Sequence, residues 1–173
     1  RAVNLCEGTL AFGRAEEPPP ALTRFELAPL LDDVVEQEQL SAGDDAVQIE
    51  AVCPPSLIVR GDPEQLYRVL GNLLRNARQA IVATGKPGQI TVMAGEDAEG
   101  WCIRLTDTGP GLPKKALDHL FQPFQGGARK GGTGLGLAIA AELIRGHGGR
   151  LELKQTGPEG TVFEIHLPAG QKV

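Results

Sequence analysis

Three side chains with amide groups recur on one stripe of the segment DPEQLYRVLGNLLRNARQAIVATG, residues 62–85. Asn72 and Asn76 stand one helical turn apart, and Gln79 follows three residues later, so all three border the same apolar face. Asn is a mediocre helix former, so two at this border point to a task. An amide oxygen is a hard, neutral ligand, suited to Mg²⁺ when a bound phosphate chain supplies the negative charge. The plainer reading has the same amides bonding nearby backbone or water.

Two glycine clusters follow. DTGPGLP, Asp107 to Pro113, places a carboxylate at the end of an expected strand, ahead of Gly109 and Gly111. A carboxylate there can receive an exocyclic amino group such as that of adenine, and glycines let backbone run close to a flat ring. An ordinary strand-to-helix turn would look the same. GGTGLGL, Gly131 to Leu137, opens a strong helical pattern. The first-turn N–H groups of a helix are unpaired and its dipole favours an anion; the Thr133 hydroxyl adds a further donor. Leu135 and Leu137 are expected to point into the core and hold the loop down. The segment is not a P-loop, because no Gly-Lys-Ser/Thr closes it, and G-x-G-x-x-G fails in register.

Between the clusters lies LFQPFQGGARKGG, residues 120–132. Phe121 and Phe124 read as anchors. Gln125 to Gly132 holds four glycines and two bases, Arg129 and Lys130, with almost nothing to bury. Such a segment is expected to move without ligand and to bring its charges over phosphates.

The elements that must position these groups can be read from the pattern of apolar residues. Residues 62–85 give the strongest helix, with Asp62 as N-cap, Pro63 at the first helical position, and Leu66, Val69, Leu70, Leu73, Leu74, Ala77 and Ala80 on one face. Before it come a short strand, an amphipathic helix with a seam of Leu30, Leu31, Val34 and Val35, and strands in AVQIEAVC and SLIVRGD. GQITVMAGED and GWCIRLTDTG form a hairpin that delivers Asp107 at a strand end. KKALDHLF reads as a short helix, TGLGLAIAAELIRGHGG as a long one, and RLELKQTGPEGTVFEIHLP as a closing hairpin. This order predicts an α+β fold, a two-layer α/β sandwich with a mixed sheet and helices on one face. Residues 1–17 carry a helical seam that EEPPP ends; the helix either folds back on the domain or is the tail of a helical hairpin.

The 173 residues suffice for one domain and a fragment of another. A net charge of −5 argues against a surface built for nucleic acid or an anionic membrane. No run of apolar residues in this chain is long enough to span a bilayer, and no signal peptide is expected. The first residue is Arg, so the chain is expected to be a piece of something longer. Cys6, Cys53 and Cys102 are far apart, with no CxxC or HxxxH, and are read as reduced and mostly buried in a cytosolic setting, with no zinc site expected.

The ordered series NLLRNARQA, DTGPGL, FQPF and GTGLGL resembles the N, G1, F and G2 boxes of the catalytic domain of sensor histidine kinases, within the superfamily of gyrase B, Hsp90 and MutL. The likeness covers roughly residues 22–168, and the N box is similar to that of nitrogen-regulator-type kinases. It implies the ATP-binding (Bergerat-type) fold for residues 21–173 and makes residues 1–20 the tail of a phosphoacceptor and dimerisation helix with a Pro-rich linker. By the same resemblance Asn76 is the Mg²⁺ ligand, with Asn72 beside the phosphates and Gln79 in the nucleotide site. Asp107 takes the adenine amino group, with Thr161 nearby through water, and Gly109, Gly111 and Leu112 line the ring. Gly132, Thr133, Gly134, Leu135, Gly136 and Leu137 hold the phosphates, while Arg129 and Lys130 lie in the ATP lid.

Two departures stand out. Many members carry Lys, then Tyr or His, where this chain has Gln79 and Ala80, so a charge partner for phosphate is missing from the helix, and the lid is short. Where hydrolytic relatives place a Glu that activates water, this chain has Asn72, an amide that cannot act as a base. The implied activity is therefore transfer of the ATP γ-phosphoryl to a histidine, with Asn72 and Asn76 at the reacting phosphates. None of His119, His147 and His166 sits in an acceptor pattern. The acceptor is expected before Arg1, in a domain that also dimerises, and a response regulator or phosphotransfer protein is the expected onward partner. The whole protein is expected to work in the cytoplasm, with or without a membrane anchor. The alternative is a degenerate domain that senses ATP or docks partners without transfer.

Overall fold

The computed structural model describes residues 18–42, 46–118, 120–121 and 134–169. The expected helix at 1–17, His119, Phe124 and the lid with Arg129 and Lys130 lie outside the described residues.

The elements run β1 (Thr23–Glu26), α1 (Leu27–Ala42), β2 (Val47–Val52), β3 (Ile58–Gly61), α2 (Pro63–Thr84), β4 (Gly88–Asp97), β5 (Gly100–Asp107), α3 (Lys114–Leu117), α4 (Gly134–Gly146), β6 (Arg150–Gly157) and β7 (Gly160–Pro168). Five strands form one sheet in the order β2-β4-β5-β7-β6, and β1 pairs with β3 in a separate two-stranded ribbon. The sheet is mixed: β2 runs parallel to β4, and every other neighbouring pair is antiparallel. The two expected hairpins are β4–β5 and β6–β7. KKALDHLF shortens to the single turn of α3, which has no buried residue and no side-chain cap to extend it.

The period-2 pattern of the strands divides the sheet into two faces. Ile90 and Val92, Trp101, Ile103 and Leu105, and Phe163, Ile165 and Leu167 are buried on one face, in one core with Leu27, Leu31 and Val34 of α1, the α2 seam, and Ala140, Leu143 and Ile144 of α4. This is the expected layer of helices on one face. The other face carries Met93, Cys102, Arg104, Glu152, Glu164 and His166.

The long helix α2 begins as its sequence dictates. The Asp62 carboxylate accepts the N–H groups of Glu64 and Gln65 at 3.0 and 3.2 Å, and Pro63 occupies a position whose missing N–H is not needed. Gly85, at φ +74°, closes the helix by donating to the Val82 carbonyl at 3.0 Å. Ile81 completes the buried seam, and Ala80 is only half-buried. Glu38 of α1, buried to 6 % exposure, accepts from Arg78 Nε at 2.7 Å and fixes the two helices side by side.

Candidate nucleotide site

Helix α2 acts as a ruler between the two glycine clusters. Near its middle, Asn72 Nδ2 donates to the Gly136 carbonyl at 3.3 Å, in the first turn of α4. Near its end, a Cβ on Gly109 would stand 3.3 Å from Ile81 Cγ1 and 3.9 Å from Ala80 Cβ, so the loop after β5 lies against the last turns of α2. Residues 72 and 81 are about 14 Å apart along a helix axis. Asn76 and Gln79 lie between these two stations, and both are half-buried. The sequence stripe of amides thus runs from the start of α4 toward the β5 loop.

Asp107 is the last residue of β5 and sits on the helix-facing side of the sheet, 7 % exposed. Its Oδ1 accepts the Gly109 N–H at 2.7 Å, and the Thr161 backbone N–H also reaches the carboxylate from the paired strand. Burial pushes the carboxyl above its ordinary range, and these two donors offset that only in part. A carboxylate offers about four lone-pair sites, so acceptor capacity remains for a ligand donor.

The glycines beside Asp107 are needed for space. Gly111 has φ +88°, and a Cβ there would fall 2.4 Å from the Gly157 carbonyl oxygen. Gly160, at φ +138°, would drive a Cβ to 2.0 Å from the Asp107 carbonyl oxygen. The Leu112 N–H donates to Thr156 Oγ1 at 2.9 Å, and Thr156 Oγ1 is 2.9 Å from Thr161 Oγ1. The loop after β5 is therefore tied to the β6–β7 turn by a two-hydroxyl bridge. Thr156, Gly157 and Gly160 are site-building residues that sequence reading missed; their only sequence signal is the TGPEG turn. Thr161 does more than stand nearby: its N–H and its hydroxyl serve the two halves of this loop.

At the other station α4 opens at Gly134, within the second glycine cluster as expected, with Leu137 buried beneath it. Gly134, Leu135, Gly136 and Leu137 supply the first-turn backbone; Gly132 and Thr133 lie outside the described residues. Phe121 meets Phe163 edge-on, with ring centroids 6.2 Å apart, which bears out its reading as an anchor.

His147 holds a structural contact between α4 and the cap of α2. His147 Nε2 accepts the Asp62 N–H at 3.0 Å while Nδ1 faces the Leu143 carbonyl at 2.9 Å, so the ring carries its proton on Nδ1. His166 Nε2 lies 3.0 Å from Glu164 Oε1 on the far face of the sheet.

A carboxylate, a glycine-lined loop, a row of amides and a helix start are thus arrayed along α2 as one candidate site. Residues 61–171 match the model of the histidine kinase-, DNA gyrase B-, and HSP90-like ATPases. The chain belongs to this ATPase family. Its fold is similar to the catalytic domain of histidine kinase ThkA, with a TM-score of 0.72 and 26% identity over 86% of this chain and 95% of that one. It is also similar to the mycobacterial sensor histidine kinase MprB, with a TM-score of 0.69 and 27% identity over 87% of this chain and 100% of that one. Among longer proteins, the ATPase-family chain is 33% identical to the sensor histidine kinase ZraS of Escherichia coli over 86% of its own length and 31% of that protein. It is 37% identical to the C4-dicarboxylate transport sensor protein DctB of Rhizobium meliloti over 71% of its length and 19% of that protein. The chain thus spans a fifth to a third of these relatives. ATP is the nucleotide of this ATPase family. Among the described residues no helix is long and apolar enough to cross a membrane.

Proposed function

We propose that this domain is the ATP-binding catalytic part of a two-component sensor histidine kinase. It donates the γ-phosphoryl of ATP to a histidine on a helical domain that precedes Arg1 in the whole protein. The observation that carries this reading is the bond between Asn72 and Gly136. It sets an amide, not a carboxylate, beside the start of the phosphate-binding helix.

Asp107 accepts the adenine amino group, while Gly109, Gly111 and Leu112 line the ring and Thr161 steadies the carboxylate. The first-turn N–H groups from Gly134 to Leu137, with Gly132 and Thr133, hold phosphate oxygens. The residues present fit Mg²⁺: Asn76 offers a neutral amide oxygen one turn from an amide already at the α4 start. Mg²⁺, when bound, neutralises charge on the transferring phosphate oxygens. Gln79 gives no charge, so Arg129 and Lys130 of the lid supply the cationic partners. Asn72 cannot take a proton from water, so the bound triphosphate is spared until an acceptor imidazole arrives. The acceptor domain also supplies dimerisation, and the phosphoryl group passes on to a response regulator or phosphotransfer protein in the cytoplasm.

Calorimetric titration with ADP or a non-hydrolysable ATP analogue, in the presence of Mg²⁺, is the direct test. Micromolar binding is expected, lost in Asp107→Asn and in Asn76→Ala. Tight binding that ignores both substitutions would overturn the assignment of the site.

A further inference from the structure

The outer face of the sheet, away from the helices, gathers donors that lie far apart in sequence. Cys102 of β5 is the cross-strand partner of His166 of β7, and Glu164 lies two residues away on the same face. The Cys102 thiol, a Glu164 carboxylate oxygen and a His166 ring nitrogen all lie within 4.8 Å of one another. His166 Nε2 is 3.0 Å from Glu164 Oε1 and 3.6 Å from Oε1 of Glu152 on β6.

The two carboxylates are held alike. Arg104 grips Glu164 through Oε2, at 2.9 Å from Nε and 2.8 Å from a terminal nitrogen. Arg150 grips Glu152 through Oε2 at 2.6 Å. In each case the arginine takes the far oxygen and leaves Oε1 turned to the same imidazole nitrogen, with Lys154 Nζ also 3.5 Å from Oε1 of Glu152. Such partners orient ligand carboxylates around metals.

We propose that Cys102, Glu164 and His166, with Glu152 as the fourth ligand, form a zinc-binding site on the outer face of the sheet. One thiolate, one imidazole and two carboxylates suit a borderline-soft divalent ion and not Mg²⁺ or Ca²⁺. Zn–ligand lengths of about 2.0–2.3 Å put tetrahedral donors roughly 3.3–3.7 Å apart. The imidazole–carboxylate separations of 3.0 and 3.6 Å lie near this range, and Glu152, outside the 4.8 Å group, would close on the ion by rotating its side chain. His166 and Glu152 keep 18% and 34% of their side-chain exposure, so an ion enters from solvent without unfolding. Binding releases the Cys102 thiol proton to solvent; the proton that His166 Nε2 presents to the two carboxylates also leaves that nitrogen, and the ligating imidazole is neutral with its proton on Nδ1. Along β5 and β7 the pair Cys102 and His166 lies five residues from the pair Asp107 and Thr161, about 17 Å at the rise of a strand. The ion therefore does not compete with nucleotide.

The reduced, metal-free 173-residue chain titrated with Co²⁺ gives the first measurement. A near-ultraviolet thiolate-to-cobalt band is expected, with visible absorption of tetrahedral intensity, both reversed by Zn²⁺. The band is lost in Cys102→Ser and in His166→Ala and kept in Cys53→Ser, while ADP binding is unchanged in all three. Absence of the band, or its survival in either of the first two variants, overturns the site. A second measurement needs no variant: with Zn²⁺ present, alkylation of Cys102, mapped by peptide mass, slows several-fold while that of Cys53 does not. Equal rates with and without Zn²⁺ overturn it as well.

Discussion

Asp107 sets function against stability in one side chain. Its burial favours the protonated form, so its folded-state pKa lies above the ordinary value. The folded domain then binds more protons than the unfolded chain between those two values. The stability that protonation contributes is full below the ordinary carboxylate range and is lost as pH rises through the raised pKa. Asp107→Asn removes that dependence while keeping the shape of the side chain. Without nucleotide the variant is expected to be as stable as the parent in acid and more stable once the parent's carboxylate ionises. Urea unfolding at several pH values checks this, and a variant less stable than the parent throughout would contradict it. Nucleotide affinity of the parent should rise over the same window, because the adenine amino group needs an ionised acceptor.

At the scale of elements, what matters is how α2 and α4 are held to each other. They meet at Asn72 and Gly136, and again where the ring of His147, at the end of α4, accepts the N–H of Asp62 at the cap of α2. His147 is 7% exposed, so water does not easily replace it. Its truncation leaves the part-buried Asp62 N–H without its partner, a loss of about 1 kcal/mol. Chemical denaturation of His147→Ala is expected to show that loss, together with weaker ADP binding, because the α4 start shifts relative to the amide row. Unchanged stability would mean that the His147–Asp62 contact adds nothing to how the two helices are held.

At the scale of the whole molecule, the chain enters beside that same junction. Gln65 Nε2 donates to the Pro18 carbonyl at 3.0 Å, the Ala21 N–H donates to Asp62 Oδ2 at 2.9 Å, and Pro20 packs near Gly146. A preceding domain would thus be joined to the cap of the helix that carries the amide row. Incubated alone with γ-labelled ATP, the domain is expected to remain unlabelled, and to pass label to an added helical domain bearing the acceptor histidine. Acid-labile label on this chain alone would place the acceptor within it. ATP binding without transfer in trans would favour a sensing or docking role instead.

The sequence by itself determined most of the elements and the family to which the chain belongs. Capping at Asp62 and Gly85 is local chemistry, and the apolar seam of α2 repeats at short range, so both are legible without the fold. The boxes around Asn76, Asp107 and Gly136 are legible for the same reason: phosphate and base contacts come from contiguous loops at element ends. KKALDHLF reads as a longer helix than it is, since its pattern does not reveal that among the described residues only Lys114–Leu117 hold helical backbone. Thr156, Gly157 and Gly160 escaped notice because their role depends on where one hairpin crosses another loop. The outer-face cluster of Cys102, Glu152, Glu164 and His166 was invisible for the same reason. Cys102 and His166 are 64 positions apart in the sequence, and only strand order and register bring them side by side. Spacing along the chain reports groups carried by one element; groups joined across strands are set by pairing, which a single sequence does not display.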